Sequence, residues 1–184
     1  RLRKKARTFV HNAGSNNSQY LDRNGTSLLL KALPHIKSPI KLIFRSRDTN
    51  WGVDDERVDF RLGDADYDTL WDEGDVFIFP EAYNGLCLPL QEAFAAGMLV
   101  MAGDRFPINT WLPQEPLLPV EEYKKIRNDW QDLEIANYNY IELAALIDYW
   151  YDKDIEILSN KGLEWAKKNS WNELEPIYKR ILND

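Results

Sequence analysis

The most constraining feature of the sequence is a strand–loop–helix–strand pattern between residues 75 and 102. Val76–Phe79 is a short apolar run of the kind that forms a buried parallel strand. A loop containing Pro, Asn and Gly follows, and Pro89 then stands where a first helical turn tolerates a missing N–H. Apolar residues recur at helical spacing until Leu99–Met101, which indicates the next strand. The pattern predicts a βαβ unit and therefore a parallel sheet.

The rest of the chain continues the alternation of strands and helices. The stretch from Gly103 to Pro119 is rich in Pro and irregular, and no definite form is predicted for Glu121–Gln131. We predict an α/β fold, a Rossmann-like doubly wound parallel sheet with helices on both faces and further helices at the C-terminus. Further strands are predicted at Thr8–Asn12, Ile40–Ser46 and Val58–Leu62, and helices from Gly25-Thr26 and at Tyr67–Asp72, Tyr140–Tyr151, Asp152–Asn169 and Trp171–Leu182.

Length and composition predict a single domain. With 184 residues the chain is large enough for its own core. Its one cysteine argues against a disulfide framework and favours a reducing, cytoplasmic compartment. No apolar run is long enough to span a bilayer, and no signal peptide is recognisable. Because the sequence does not begin with Met, we expect a fragment or an excised domain covering residues 1–184.

The net charge of −7 is unevenly distributed. Residues 1–50 contain eleven Lys and Arg against two Asp, whereas the remainder contains twelve basic against twenty-eight acidic residues. This asymmetry predicts an anionic ligand, a nucleic acid or a membrane surface near the basic part, or simply a solvated basic face. Nucleic acid is the weaker prediction, because no helix-turn-helix, zinc knuckle or RNA-binding motif is present. A peripheral contact with the cytoplasmic face of a membrane stays open.

The loop before Pro89 is the candidate ligand site. Open α/β sheets bind ligands beyond the carboxyl ends of their strands, where this loop lies. A helix N-terminus there favours an anion, because it presents free N–H groups and a positive dipole end. Glu92 is expected in the first turn of the helix, where a carboxylate can cap the helix or accept hydrogen bonds from a vicinal diol such as a ribose. The candidate N–H donors are Gly85, Leu86, Cys87 and Leu88.

The segment from Asn84 to Val100 resembles the donor-binding motif of the retaining glycosyltransferases of family four, which have the GT-B fold. Its Gly-x-x-Leu-Pro-x-x-Glu-Ala core matches that motif in register. Asn84 stands where the family has its first Glu, Leu86 replaces Phe, and Cys87 replaces the second Gly. Weaker similarities at residues 9–14, 23–32 and 162–171 extend the resemblance to the whole chain, as the C-terminal half of a GT-B enzyme without its N-terminal acceptor domain.

The resemblance implies the function of the site. A hexosyltransferase of this kind takes a UDP-sugar or GDP-sugar and transfers the sugar, with retention and without a metal or cofactor, to a hydroxyl of a glycan, lipid or protein. The resemblance implies that Glu92 binds the ribose hydroxyls and that Asn84 contacts the donor sugar. These two are our candidate catalytic residues. Arg23 is the candidate cation for the diphosphate. The remaining candidate binding residues are Gly14, Asn24, Gly85, Leu86, Cys87 and Leu88, with Gly63 and Asp64 near the base.

Three alternatives stay open. Asp64-Ala65-Asp66 resembles the metal-diphosphate signature of the GT-A fold, although Asp is also favoured before a short helix, and we expect no bound metal. The substitutions at Asn84, Asn24 and Cys87 are compatible with a degenerate, non-catalytic binding or interaction domain. Another doubly wound nucleotide enzyme, such as an epimerase, is the third alternative, but we recognise no catalytic Tyr-x-x-x-Lys for it in the sequence.

Overall fold

The apolar runs of the sequence form the strands of one parallel sheet. The computed structural model describes residues 1–15, 22–112, 116–127 and 132–183. The strands of this sheet are β1 (Thr8–Gly14), β2 (Lys41–Ser46), β3 (Val58–Leu62), β4 (Val76–Phe79), β5 (Leu99–Gly103) and β6 (Leu117–Leu118). Their order is β3-β2-β1-β4-β5-β6, with every neighbouring pair parallel. The order reverses between β1 and β4, which is the topological switch point of the sheet.

Helices cover both faces of this sheet, which confirms the predicted Rossmann-like fold class. The short helix predicted at Tyr67–Asp72 is a single 3₁₀ turn, Tyr67–Thr69. In the described residues no helix is both long enough and apolar enough to cross a bilayer. The α-helices are α1 (Thr26–Ala32), α2 (Leu88–Ala95), α3 (Tyr140–Trp150), α4 (Glu156–Lys168) and α5 (Trp171–Asn183).

The side chains of the central strands are buried on both faces of the sheet. Phe9 and Ile78 belong to the cluster that includes residues of α1 and α3, whereas Val10 and Phe77 belong to the cluster that includes residues of α2. All four are completely buried. Burying one such side chain contributes about 1.5–3 kcal/mol, so the two clusters fix the sheet and thereby the positions of its carboxyl ends.

An antiparallel hairpin was not predicted from the sequence. It consists of β7 (Glu122–Arg127) and β8 (Asp132–Asn137). β7 is solvent-exposed along almost its whole length, so its residues show no apolar alternation that would indicate a strand. The hairpin is joined to the loop after β4, because the N–H of Ala136 donates to the carbonyl of Ala82 at 2.8 Å. It therefore borders the candidate site.

Candidate ligand-binding site

A cleft of about 510 Å³ opens at the carboxyl ends of β1 and β4. This is the switch point of the sheet, where ligands of doubly wound proteins bind. The cleft brings together most of the residues that the sequence singled out, although they lie far apart in the chain. Its wall consists of Asn12, Gly14, Arg23, Asn24, Phe79, Asn84, Leu86, Cys87, Leu88 and Pro89.

A second, smaller cavity of about 180 Å³ continues along the same edge of the sheet. It shares Asn12 and Gly14 with the first cleft. Its other side is formed by the carboxyl ends of β2 and β3, including Gly63 and Asp64. The two candidate base-binding residues therefore line a compartment adjacent to the main cleft, rather than the cleft itself.

The loop before α2 has the backbone geometry that its sequence indicates. The helix begins at Leu88, with Pro89 in its first turn. Cys87 precedes it with a φ of 49° in the left-handed region, and its side chain provides no cap. This conformation favours Gly, the residue of the resembled motif, because a Cβ there costs about 1–2 kcal/mol. Burial raises the pKa of the Cys87 thiol to about 12, so Cys87 is not an activated nucleophile.

Glu92 does not lie in the first turn of the helix, contrary to the prediction. α2 begins one residue before Pro89, and no acidic residue lies in its first turn. Glu92 Oε1 accepts a hydrogen bond from the Tyr67 hydroxyl at 3.2 Å, and its Oε2 accepts one from Trp71 Nε1 at 3.2 Å. The Glu92 charge raises the pKa of Tyr67. Glu92 therefore does not cap α2 but presents a carboxylate oriented by two side chains of the segment after β3.

Glu92 and Gly85 are not part of the wall of the main cleft. Glu92 is half-buried, beside Tyr67 and Trp71 of the segment that also contributes Leu70 to the smaller cavity. Gly85 is exposed at the outer side of the loop. The structure thus gathers seven predicted site residues at one cleft and leaves Glu92 and Gly85 outside its wall. The seven are Gly14, Arg23, Asn24, Asn84, Leu86, Cys87 and Leu88.

The N-terminus of α1 is occupied by a carboxylate that the sequence interpretation missed. Asp22 Oδ1 accepts a hydrogen bond from the Thr26 N–H at 2.8 Å, and its Oδ2 accepts one from the N–H of Ser27. These bonds satisfy N–H groups that an anionic ligand could otherwise use. An Asp shortly before a helix start is a capping signal that could have indicated this.

Arg23 and Asn24 have different roles in the same loop. The Asn24 amide donates to the carbonyl of Ala13 at 2.8 Å and fixes the loop to β1. Its Oδ1 is buried and has no hydrogen-bond partner among the described residues. The carbonyl of Arg23 accepts from the N–H of Ala82 at 2.8 Å, while its side chain is exposed at the cleft. Arg23 is therefore available to an anionic ligand. Part of this loop, residues 16–21, lies outside the described residues.

A buried ion pair beneath the loop was also missed. Glu81 is completely buried, and its Oε1 lies 3.1 Å from Arg105 Nη1. The same Arg105 nitrogen donates to the carbonyl of Asn84 at 3.3 Å. Burial raises the pKa of Glu81 to about 7, although Arg105 opposes the shift. The available signal was a charged residue two positions after the end of each of two adjacent buried strands, β4 and β5.

The two aspartates of the alternative metal signature have protein partners. Asp64 pairs with Arg47 Nε at 2.9 Å. Asp66 accepts from the N–H of Asp68 at 3.1 Å, as the N-cap of the 3₁₀ turn. Among the described residues, no group of three His, Cys, Asp or Glu side chains could hold a metal ion. The capping interpretation of Asp66 is confirmed.

Three further residues of catalytic type, His11, Tyr149 and Lys153, have no place in the cleft wall. The rings of His11 and Phe44 are in contact, and the His11 nitrogens bond to the Ile78 carbonyl and the Thr26 hydroxyl, both at 2.9 Å. The sequence interpretation also overlooked a Tyr-x-x-x-Lys spacing, which is present at Tyr149 and Lys153. The carbonyl of Lys153 accepts from the N–H of Ala6, just before β1, so this pair lies at the amino edge of the sheet, away from the cleft.

Comparisons with known proteins identify relatives of the fold. No protein-family model matches the sequence, and no curated protein matches it significantly. The GtfA/B complex matches with a TM-score of 0.72 and 14% identity over 98% of this chain. Anabaena HepE in complex with UDP and glucose matches with a TM-score of 0.68 and 15% identity over 97% of this chain. This chain spans 36% and 48% of the two matched chains.

A separately crystallised domain also matches. The C-terminal domain of a glycosyl transferase group 1 family protein (LpcC) from Francisella tularensis has a TM-score of 0.56 at 13% identity, over 90% of this chain and 87% of that chain. At these identities the comparisons establish the fold, a Rossmann-like domain like those of GT-B glycosyltransferases.

Proposed function

We propose that this chain is the nucleotide-sugar-binding domain of a retaining glycosyltransferase of the GT-B type. The observation that carries the proposal is the cleft between β1 and β4, whose wall unites Gly14, Arg23 and Asn84 with the start of α2. All of them belong to segments that resemble the C-terminal half of a GT-B enzyme, and Asn84 and the start of α2 belong to the donor motif itself. The similarity in fold to HepE, solved with UDP and glucose, supports a nucleoside diphosphate as the ligand.

The donor is proposed to extend along the edge of the sheet. Its base occupies the smaller cavity near Gly63, and its ribose hydroxyls donate to Glu92. The diphosphate lies in the main cleft against Arg23 and the N–H groups of Gly85–Leu88, and the sugar lies near Asn84. Negative charge develops on the leaving diphosphate during transfer, so preorganised N–H donors and a guanidinium stabilise the transition state. This chemistry requires neither a metal nor a cofactor.

Transfer is proposed to need a second domain. Closure of an acceptor domain over the cleft would exclude water and bring a glycan, lipid or protein hydroxyl to the sugar. The present chain is therefore expected to bind the donor but to transfer sugar poorly by itself. The single, buried Cys87 is consistent with a cytoplasmic protein.

Arg23→Ala is expected to weaken the binding of UDP and GDP by about tenfold or more, because a charge-assisted hydrogen bond contributes about 1.5–3 kcal/mol. Arg23→Lys should recover part of this loss, since an ammonium supplies charge without the two-pronged geometry of a guanidinium. Calorimetric titration at two salt concentrations measures the effect. Lys41→Ala is the matched control, because Lys41 is an exposed cation at the start of β2, on the opposite edge of the sheet. Equal affinities of Arg23→Ala and Lys41→Ala would contradict the assignment.

Asn84→Ala tests whether this residue contacts the sugar. We expect the variant to bind a nucleotide sugar about fivefold more weakly, the effect of one hydrogen bond of about 1 kcal/mol, and to bind the free nucleotide unchanged. Titrations with UDP, UDP-glucose, GDP and GDP-mannose give the comparison, and Asn160→Ala, at an exposed position of α4, is the control. A loss of the same size for nucleotide and nucleotide sugar would exclude a sugar-specific contact.

A degenerate binding domain is the second candidate function. The observation in its favour is the absence of a carboxylate at Asn84, together with Asp22 occupying the N-terminal amides of α1. Asn84→Glu in the full protein separates the two candidates. If Asn84 is an adapted active-site residue, the native protein transfers sugar and the variant loses transfer. If the site is degenerate, transfer appears only in the variant.

A further inference from the structure

Glu81 and Arg105 form an ion pair that is almost entirely removed from solvent. The Glu81 side chain is 0% exposed and the Arg105 side chain 10% exposed. Among the ion pairs of the described residues, the next most buried, Asp55–Arg57, retains about a fifth of the accessibility of each side chain. Glu81 Oε2 also has no hydrogen-bond partner within the described residues. The pair therefore differs from the other ion pairs in its burial and in having a carboxylate oxygen without a partner among the described residues.

The pair and its hydrogen-bond partners join three segments, which are the loop before α2, the residues after β5 and the residues after β8. Glu81 follows β4 and Arg105 follows β5, and the two meet at 3.1 Å. Arg105 also donates to the Asn84 carbonyl at 3.3 Å. From the hairpin side, the hydroxyl of Tyr138 donates to the Glu81 carbonyl at 2.9 Å. A Cβ on Gly103 would lie 1.9 Å from that hydroxyl, so the approach of Tyr138 depends on a glycine there.

A buried ion pair is a poor explanation of stability by itself. The desolvation of two charges offsets their attraction, and apolar residues of similar volume are often equally stable or more stable. The pair does provide directional bonds, which apolar side chains cannot. Its Arg nitrogen is bonded on one side to a fixed carboxylate and on the other to the backbone of Asn84.

We propose that Glu81 and Arg105 are positioning residues that hold the loop Asn84–Leu88 in its ligand-binding conformation. Glu81 orients the guanidinium, and the guanidinium fixes the carbonyl of Asn84. This sets the direction of the Asn84 side chain and of the N–H groups that follow it. The ligand part of this inference rests on the proposed function of the loop, whereas the positioning part does not.

The test replaces the pair by apolar residues of similar size. The single variant Arg105→Met leaves Glu81 buried and unpaired and can fail to fold, so the double variant Glu81→Leu/Arg105→Met is the decisive protein. It is expected to unfold at the same urea concentration as the wild type or at a higher one. Hydrogen exchange is then measured at Leu90 and Gln91, whose N–H groups bond to the Cys87 carbonyl at the start of α2.

We expect these two amides to exchange about tenfold faster in the double variant, because the loop that supports them is no longer held. Glu81→Gln keeps an acceptor for Arg105 and should exchange like the wild type. The matched control is Asp55→Leu/Arg57→Met, which removes a pair that also bonds to backbone carbonyls, those of Leu33 and Ile36. That control should accelerate exchange at Ile36 and leave the start of α2 unchanged.

Titration of the same proteins with UDP-glucose and GDP-mannose separates the positioning role of the pair from the ligand-binding function of the loop. A folded double variant with faster exchange and about tenfold weaker binding supports the positioning role. Unchanged exchange at Leu90 and Gln91 overturns it, whatever the affinity. If the double variant exchanges faster but the wild type binds neither nucleotide sugar, the positioning role is retained. That result counts against the proposed function. Equal acceleration in the Asp55/Arg57 control shows a global effect and also overturns the inference.

Discussion

Glu92→Gln is expected to lower the affinity for UDP or GDP by about tenfold to a hundredfold. A carboxylate that accepts hydrogen bonds from a ribose diol contributes about 1.5–3 kcal/mol, and an amide offers one uncharged acceptor in place of two charged ones. Tyr67 and Trp71 each donate to one Glu92 oxygen at 3.2 Å, so the group is oriented before the ligand arrives. Calorimetric titration of the variant and the wild type gives the ratio.

Removing the 2′-hydroxyl of the ligand tests whether Glu92 contacts the ribose. UDP and 2′-deoxy-UDP, or the guanosine pair if GDP binds more tightly, are titrated into both proteins. The wild type is expected to discriminate against the deoxy ligand, and Glu92→Gln should lose most of that discrimination, because the interacting partner is gone. Glu164→Gln is the control, an exposed helix glutamate that accepts one side-chain hydrogen bond, from Asn160. Undiminished discrimination in Glu92→Gln would show that the ribose is bound elsewhere.

Gly25→Ala is expected to reduce the free energy of unfolding by about 3 kcal/mol or more. Gly25 has a φ of +75°, and a Cβ there would lie 2.3 Å from the carbonyl oxygen of Pro80 and 2.7 Å from its ring. Backbone at the end of a buried strand cannot move aside cheaply. The substitution therefore pushes the start of α1 away from the residue that follows β4. Urea unfolding measures the loss.

Gly52→Ala is the matched control for this effect. Gly52 also has a positive φ, of +62°, but a Cβ there meets no heavy atom within 4 Å. Its substitution carries only the cost of the left-handed conformation, about 1 kcal/mol. The difference between the two variants isolates the contact of Gly25 with Pro80. Similar losses for both would mean that α1 and β4 are not packed as closely as described.

Most of the sheet was predictable from sequence because its central strands are buried on both faces. Continuous apolar runs mark β2 and β4, and Gly and Pro mark their ends. The hairpin of β7 and β8 could not be predicted in this way, since β7 is exposed and its sequence shows no alternation of apolar and polar residues. Strand formation there depends on pairing with β8, which is not visible within either segment.

The site was predictable only in part. The loop and Pro89 indicated the start of a helix, but proline occurs at either of the first two positions, so the place of Glu92 in the helix was wrong. Glu81 and Arg105 lie 24 positions apart and meet only because β4 and β5 are adjacent in the sheet. Capping by Asp22 was within reach of local reasoning. The pairing of Glu81 with Arg105 could not be predicted locally, because it joins residues at the ends of different strands.

The most direct test of the account is calorimetric titration of this protein with UDP and with GDP, each in the presence and absence of EDTA. We expect saturable binding of one of the two nucleotides, with an affinity that EDTA does not change. Absence of binding to both would contradict the donor-domain proposal. Binding that requires a divalent metal would contradict the metal-independent chemistry of the proposal and would favour Asp64 and Asp66 as metal ligands.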